Sequence, residues 1–236
     1  MTRHSSIFVC GTDTGVGKTI VTGALCAYLN DCGIRSGAFK PLESGCKPAD
    51  GMKRHLERAD SEFLKKMAGM GEPLDTINPY NFEEALAPGV AAERKNQKIT
   101  FKKIKNNLCE LRKKYKVIFI EGAGGLLVPI NHLKTNLDLI RELRIPVLVV
   151  ARLGLGTINH TLLTLNCLQH HKIQVLGVIL NETTPEKNLA EETNPGILKK
   201  YRVPLLGIFP HLEIINRHLL IQALKKNLNL TFMLEI

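Results

Sequence analysis

Short apolar runs alternate along the chain with longer segments whose apolar residues recur at helical spacing. The predicted strands cover residues 7–10, 36–39, 117–121, 147–151, 175–180 and 205–209, and the predicted helices cover residues 20–29, 58–69, 95–116, 157–171, 185–201 and 214–230. Residues 44–53 are predicted to be a loop, and residues 70–92, with three prolines, to be irregular. Several strands are apolar throughout, which is typical of a sheet buried on both faces.

This alternation predicts right-handed βαβ units in a doubly wound α/β fold, with three layers and a mostly parallel sheet. Neither a repeat nor a linker is evident, so residues 1–236 are expected to form a single domain. In such folds, ligands bind at the carboxyl ends of the strands. Polar and glycine residues follow the predicted strands at 11–19, 40–44, 121–125, 154–160 and Asn181.

The first of these segments, residues 11–19, has the sequence GTDTGVGKT between a strand and a helix. Glycine backbone and a helix amino end together offer N–H groups to phosphate oxygens. Lys18 supplies a cation for the β- and γ-phosphates, and the Thr19 hydroxyl is suited to Mg²⁺. The usual loop pattern has glycine at position 12, whereas this chain has Thr12 and places its glycine at Gly11. The alternative interpretation is an ordinary glycine-rich turn.

Other polar residues could bind Mg²⁺, phosphate or substrate, but each of them could also have an ordinary structural role. Glu121 ends a strand and Asp60 begins a helix, so either could be a Mg²⁺ ligand or a simple exposed carboxylate. Lys40 could stabilise a transferring phosphoryl group with Ser44 beside it, although most lysines are only solvated. Asn159 lies near a helix amino end, which could bind a carboxylate or be capped by a side chain.

The net charge of +10 raises the possibility of nucleic-acid binding. Much of this charge lies in residues 95–116, where apolar residues recur every three or four positions with lysines between them. This pattern favours an amphipathic helix with a solvated basic face. Nucleic-acid binding is therefore not expected. An excess of basic residues also suits the binding of anionic substrates.

Six cysteines are scattered through the chain without a CxxC pair. They are interpreted as small buried side chains in a reducing compartment. A run of about 18 apolar residues is lacking, so membrane spans are not predicted. The amino-terminal residues lack the apolar block of a signal peptide, and a cytoplasmic location is expected.

Eight stretches of the chain resemble the dethiobiotin synthetase family of ATP-dependent ligases. The matching stretches are GTDTGVGKT (11–19), FKPLESG (39–45), RADSEFL (58–64), NPYNFEEALAP (78–88), VIFIEGAGGLLVP (117–129), LGLGTINHTLLT (153–164), LGVILNET (176–183) and PLLGIFP (204–210). The longer phosphate loop is the pattern of that family. The chain departs from it at Gly89, where histidine is usual, and after Pro210.

The resemblance implies an ATP- and Mg²⁺-dependent reaction of 7,8-diaminononanoate with CO₂ or bicarbonate. One amine forms a carbamate, the carbamate attacks the γ-phosphate, and the second amine closes the ureido ring of dethiobiotin with loss of phosphate. The resemblance also implies a cytoplasmic homodimer with the site at its interface. Side-chain nucleophiles are not required.

The resemblance also implies roles for individual residues. Catalysis is assigned to Lys40, Lys18 and Thr14, and the Mg²⁺ ligands are Thr19, Asp60 and Glu121. Substrate contacts are assigned to Ser44, Gly122, Gly125, Gly156, Thr157 and Asn159, with the substrate carboxylate bound across the dimer interface by residues 156–159. Nucleotide contacts are assigned to Gly15, Val16, Gly17, Lys18, Thr19, Ile20, Asp60, Glu121, Gly122, Ala123, Gly124, Asn181, Glu182, Pro204, Leu205 and Leu206, with Asn181 at the adenine.

Three other functions are alternatives to this one. A switch-type ATPase of the partitioning class would have its signature lysine at position 13, where this chain has Asp13. A nucleic-acid-binding NTPase would show binding that falls steeply with salt. An amide-forming ligase, as in cobyrinate amidation, would need an ammonia source or a glutaminase domain, which is not visible in the sequence.

Overall fold

A computed structural model describes residues 5–49, 52–186 and 188–234. The strands are β1 (Ser5–Gly11), β2 (Ser36–Phe39), β3 (Leu42–Ser44), β4 (Lys47–Ala49), β5 (Met52–Glu57), β6 (Tyr80–Phe82), β7 (Val117–Gly125), β8 (Pro129–Asn131), β9 (Lys134–Thr135), β10 (Val147–Arg152), β11 (Val175–Asn181) and β12 (Leu205–Phe209). The helices are α1 (Lys18–Asp31), α2 (Ala59–Ala68), α3 (Leu74–Ile77), α4 (Pro88–Arg94), α5 (Phe101–Arg112), α6 (Asn136–Leu143), α7 (Thr157–His170), α8 (Leu189–Lys200), α9 (Arg217–Asn227) and α10 (Thr231–Leu234).

A six-stranded sheet has the order β12-β11-β10-β1-β7-β2. Each neighbouring pair in it is parallel. Gly11 lies beside Gly125 on one side and Val150 on the other, while Arg152 lies beside Asn181 and Asn181 beside Phe209. The carboxyl ends of five strands therefore meet along one edge, as the sequence predicted.

Helices cover both faces of this sheet, and the doubly wound α/β prediction is confirmed. Along the sheet, the connection from β1 to β2 runs in one direction, and the connections that pass through α6, α7 and α8 run in the other. If all of these connections are right-handed, α1 must lie on one face of the sheet and α6, α7 and α8 on the other. Accordingly, α1 packs against α2 and α9, whereas α5 and α6 pack on β7, and α7 packs on β10 and α8. The continuously apolar strands are buried; residues 147–150 are completely inaccessible.

Several local predictions need correction. Residues 44–53, predicted as a loop, contain the antiparallel β4–β5 pair, although residues 50 and 51 lie outside the described residues. Residues 70–92, predicted as irregular, contain α3, β6 and the start of α4, because β6 pairs with β3 through long-range hydrogen bonds. The β8–β9 hairpin and α6 were not predicted. The capping box formed by Thr135 and Asp138 is a local signal for the start of α6.

The basic segment forms a shorter helix than predicted, α5, which Thr100 caps through its side chain. Ile104, Leu108 and Leu111 are buried while neighbouring lysines face solvent, so the prediction of a solvated basic face is confirmed. Throughout the described ranges, no helix combines the length and apolar character needed to cross a bilayer.

Gly207 tests how β12 is packed. Its φ of +145° is unfavourable for a side chain, and a Cβ there would overlap the backbone carbonyl oxygen of Asn227 at the end of α9. We expect Gly207→Ala to lower the free energy of unfolding by about 1–3 kcal/mol, because backbone atoms cannot move aside cheaply. Urea unfolding followed by circular dichroism measures this change.

Gly71→Ala is the matched control for this substitution, since a Cβ at Gly71 would meet no atom within 4 Å. We expect its stability to stay within about 0.5 kcal/mol of the parent. Equal stability losses in the two variants would contradict the proposed overlap at Gly207.

The cysteines provide a second test of packing. Cys32 and Cys109 are exposed, contrary to the prediction of burial, whereas Cys10, Cys26 and Cys46 are buried and Cys167 is half-buried. Burial raises the pKa of the Cys10 thiol to about 12 and that of Cys46 to about 11. Because the thiolate is the reactive form, we expect a thiol reagent at pH 8 to modify two cysteines rapidly and the buried three only after unfolding. Rapid modification of all six in the native protein would contradict this packing.

Candidate active site

The predicted phosphate loop joins β1 to α1 at the carboxyl edge of the sheet. Gly15 and Gly17 have φ values of 72° and 86°, in the left-handed region that glycine enters without strain. Gly17 is the N-cap residue of α1 and offers no side chain, so the first N–H groups of the helix remain available. Val16 is buried and Ile20 half-buried beside them. This backbone is suited to binding phosphate oxygens.

Steric contacts explain why the glycine of the phosphate loop lies at position 11 and not at position 12. A Cβ on Gly11 would lie 2.7 Å from the Asp13 carbonyl oxygen and 2.9 Å from Nζ of Lys18. Lys18 folds back along the loop, where its Nζ lies 3.4 Å from that carbonyl oxygen. The longer loop therefore needs glycine at position 11 to leave room for the lysine.

Lys40, Asp60, Glu121 and Thr19, from four separate segments, meet beside the loop. Nζ of Lys40 donates to Oε1 of Glu121 at 2.7 Å and forms an ion pair with Asp60. The Thr19 hydroxyl donates to the same Glu121 oxygen at 2.7 Å. Glu121 is completely buried and Lys40 is 5% exposed, whereas the Asp60 side chain is 45% exposed. The sequence-predicted Mg²⁺ set and the predicted catalytic lysine thus form one cluster.

The two lysines respond differently to burial. Burial by itself would lower the pKa of Lys40, but the Glu121 and Asp60 carboxylates outweigh it and raise that pKa above its ordinary value. Burial lowers the pKa of Lys18, and Glu121 only partly opposes the effect. Lys40 therefore remains a fixed positive charge at neutral pH. An anion bound beside Lys18 would favour the charged form of Lys18.

The donor set fits a magnesium ion. Oε2 of Glu121 is buried, and no group in the described part of the chain forms a hydrogen bond with it. Together with Asp60 and the Thr19 hydroxyl, it presents the hard oxygen atoms that Mg²⁺ prefers. The described residues contain no group of three or more His, Cys, Asp or Glu side chains that could hold a metal ion by themselves. A Mg²⁺ ion at this site would therefore need water and substrate phosphate as its remaining ligands.

The end of β7 lies against the phosphate loop. Gly124 has a φ of 65°, and a Cβ there would lie 3.3 Å from the Thr14 hydroxyl oxygen. The Asn136 amide donates to the carbonyl oxygens of Ala123 and Gly125, each at 2.8 Å, and holds this turn in place. The structure thus brings Thr14 and residues 122–125 together, as the site prediction requires.

The predicted substrate residues of α7 begin after β10, at the same edge of the sheet. Gly156 is the N-cap residue with a φ of 91°, and no side-chain cap occurs at this helix end. The Thr157 side chain is buried beside Thr161, while Asn159 is exposed. The alternative of a capping side chain is therefore wrong for this helix. Ser44 ends β3 and is half-buried.

The predicted adenine contacts divide into two groups. Asn181 ends β11, and its amide donates to the Val16 carbonyl oxygen at 3.0 Å. Glu182 follows it and accepts from the His211 N–H at 3.2 Å, just beyond β12. Residues 204–206 lie at the other edge, because Val178 pairs with Leu205 whereas Asn181 pairs with Phe209. Because β12 runs parallel to β11, the structure does not bring Pro204, Leu205 and Leu206 together with Asn181, and their assignment to the nucleotide stays a prediction.

Two charged residues near this cluster are not among the site residues predicted from the sequence. Nη2 of Arg152 lies 2.9 Å from the Asp13 carboxylate and 3.3 Å from the Thr14 carbonyl oxygen. Glu43 is buried and binds the first turn of α2. Arg152 ends an apolar strand, a signal comparable to that of Glu121, whereas Glu43 has no local signal that distinguishes it.

Gly89, the departure from the family pattern, lies in α4 against the β8 strand. A Cβ there would lie 3.0 Å from the Pro129 carbonyl oxygen and 3.1 Å from the Asn131 nitrogen. The backbone of β8 therefore leaves little space for a side chain at this position.

Comparison with solved structures identifies the fold. The chain is similar to the septum site-determining protein MinD of Pyrococcus horikoshii, with a TM-score of 0.53, 16% identity, and coverage of 92% of this chain and 86% of that one. It is also similar to a putative plasmid partition protein of Borrelia burgdorferi, with a TM-score of 0.53, 15% identity, and coverage of 95% and 99%. At these identities the likeness concerns the fold alone.

Comparison of sequences identifies the family. A family model described as an AAA domain matches residues 5–218. The ATP-dependent dethiobiotin synthetase BioD of Thermodesulfovibrio yellowstonii is 41% identical, over 97% of this chain and 98% of its own. The enzyme of the same name from Bacillus subtilis is 32% identical, over 97% and 96%. The chain belongs to the ATP-dependent dethiobiotin synthetase family within the AAA-domain group, and it is an ATP-dependent ligase.

Proposed function

We propose that the chain forms dethiobiotin from 7,8-diaminononanoate, CO₂ and ATP, with Mg²⁺ as its cofactor. The observation on which the proposal depends is the cluster of Lys40, Asp60, Glu121 and Thr19 beside the phosphate loop. A bound Mg²⁺ ion would neutralise charge on the β- and γ-phosphates. Thr19, Asp60 and the free oxygen of Glu121 would hold it.

The proposed reaction balances without a protein nucleophile. One substrate amine attacks CO₂ and loses a proton, which gives a carbamate. A carbamate oxygen attacks the γ-phosphorus and ADP leaves, which gives a carbamic–phosphoric anhydride. The second amine then attacks the carbonyl carbon and loses a proton, the ureido ring closes, and phosphate leaves. Because carbamates are weak nucleophiles, the site must hold the two reactants in line.

The positions of the described residues support a separate role for each group of them in this reaction. Lys18 and the loop N–H groups bind the phosphates, and Lys40 stabilises charge on the transferring phosphoryl group. Because its pKa is raised, Lys40 acts as a fixed charge and not as a base. Thr14, Ser44 and residues 122–125 surround the reacting amines. Asn181, Glu182 and the segment after β12 bind the adenine.

The substrate carboxylate is proposed to bind at residues 156–159, where the helix N–H groups are free of a side-chain cap. This site would lie at the interface of a homodimer in the cytoplasm. Leu155 and Leu163, which are 85% and 59% exposed, support an interface on this side of the molecule.

A switch-type ATPase is the second candidate only through its shared fold. The position of its signature lysine is occupied by Asp13, which is bound by Arg152. A lysine in place of Asp13 would put like charges together at this position, so the local geometry favours the ligase.

The first experiment measures phosphate release from MgATP with and without 7,8-diaminononanoate plus bicarbonate. Mass spectrometry follows the organic product. We expect release to depend on the diamine and the product to be heavier by CO₂ less water. Phosphate release that does not depend on the diamine would favour the switch-type ATPase.

Lys40→Ala tests the transition-state charge. We expect turnover to fall at least about 100-fold, the size typical for the loss of one such contact, while ATP binding changes little. Steady-state kinetics and calorimetric titration with ATP measure the two effects. Lys102→Ala, which removes an exposed lysine from α5, is the control. Near-normal turnover in Lys40→Ala would remove Lys40 from this role.

Glu121→Gln tests the metal site. We expect the Mg²⁺ concentration for half-maximal turnover to rise at least about tenfold, since even outer-shell groups have effects of that size. Glu110→Gln changes an exposed carboxylate on α5 and is expected to leave this value unchanged. An unchanged Mg²⁺ dependence in Glu121→Gln would exclude Glu121 as a ligand.

A further inference from the structure

Glu43 is a buried carboxylate to which the proposed reaction assigns no role. It lies in β3 and is 5% exposed. Burying a carboxylate is costly unless its oxygens are hydrogen-bonded. Oε1 of Glu43 accepts from the Asp60 N–H at 3.0 Å, and Oε2 accepts from the Ser61 N–H at 3.1 Å and from the Ser61 hydroxyl. Both oxygens are therefore committed to the first turn of α2.

This contact replaces the usual local cap of a helix. The N-cap residue of α2 is Arg58, and its side chain forms no cap hydrogen bond. The first N–H groups of a helix need acceptors and favour negative charge. Glu43 provides both from a strand 17 residues earlier in the chain. Since it has one oxygen for each of two successive N–H groups, it fixes both the position and the rotation of the helix end.

The same contact determines where Asp60 lies. Asp60 donates its N–H to Glu43, while its carboxylate forms an ion pair with Lys40. The Asp60 side chain is 45% exposed, so packing alone constrains it weakly. Helix ends without a cap fray. Without Glu43, the first turn of α2 and the Asp60 carboxylate would lose their fixed position.

The backbone of Lys40 is also fixed by hydrogen bonds. Its N–H donates to the Ile77 carbonyl oxygen at 3.0 Å, and its carbonyl oxygen accepts from the Asn78 amide at 2.7 Å. Glu43 follows Lys40 by three residues. Glu43 therefore ties the helix that holds Asp60 to the chain segment that holds Lys40.

We propose that Glu43 is a positioning residue that holds Asp60 at the phosphoryl-transfer and metal site. The proposal rests on the proposed function, because it takes Asp60 as a ligand of Mg²⁺. Both Glu43 oxygens accept from Asp60 and Ser61, so Glu43 acts through the first turn of α2.

The test compares Glu43→Gln with Glu62→Gln. Glutamine has a single acceptor oxygen and presents an NH₂ group to one of the two helix N–H groups. Glu62 is an exposed acid in the same first turn, so its variant removes a comparable helix-terminal charge without a contact to Asp60. Calorimetric titration with ADP is performed in EDTA and in excess Mg²⁺, and kcat and KM for the diamine are measured beside it.

We expect Glu43→Gln to bind ADP normally in EDTA and to lose about 10- to 100-fold of the gain in affinity that Mg²⁺ provides. We also expect kcat to fall while KM for the diamine changes little, and Glu62→Gln to match the parent. Ser61→Ala, which removes one of the three hydrogen bonds, is expected to show a smaller loss of the same kind. It also serves as the test if Glu43→Gln does not fold.

Asp60→Asn completes the test. If Glu43 acts through Asp60, adding Glu43→Gln to Asp60→Asn lowers the Mg²⁺-dependent affinity little further. Fully additive losses would overturn the proposal. So would a lower melting temperature with an unchanged Mg²⁺-dependent gain, since that is the result of a merely structural cap. Failure of the diamine-dependent reaction in the parent would refute the proposed function, whereas the ADP titrations judge Glu43 separately.

Discussion

The site depends on one constraint, which is the neutralisation of a completely buried carboxylate. Glu121 ends a central strand with no exposure to solvent, where an unpaired charge would be very costly. Lys40 and Thr19 satisfy one of its oxygens, and this requirement brings the segment after β2 and the start of α1 to the end of β7. The ion pair from Lys40 to Asp60 then draws in α2. Four segments are thus located by a single charge.

The parallel sheet makes this convergence possible. Its strands end along one edge, so short loops can present polar groups to the same volume. Close backbone approach there depends on glycine: Gly11 leaves space for Lys18, and Gly124 leaves space beside Thr14. The position of Asp13 against Arg152 adds a further tie between the phosphate loop and β10. The phosphate loop is consequently held from both neighbouring strands.

Sequence was sufficient where the signal was local. The apolar strands predicted the sheet, the glycine–lysine pattern predicted the phosphate loop, and polar strand ends predicted Glu121 and Asn181. It failed where position depends on distant partners, as for β6, which forms only by pairing with β3. The family resemblance supplied residue identities without strand direction, so it did not show that Pro204 and Asn181 lie at different ends of their strands. Glu43 could not be predicted because its partners lie on another element.

Gly89 has a consequence for exchanging parts between relatives. Its backbone lies close to residues 129–131, which leave little space for the side chain usual at this position. The helix and the hairpin are therefore a matched pair, and their sequences are expected to covary. In a chimera that received α4 from a histidine-containing relative but kept this hairpin, the hairpin backbone would have to shift, whereas a chimera that received both segments together would keep the fit.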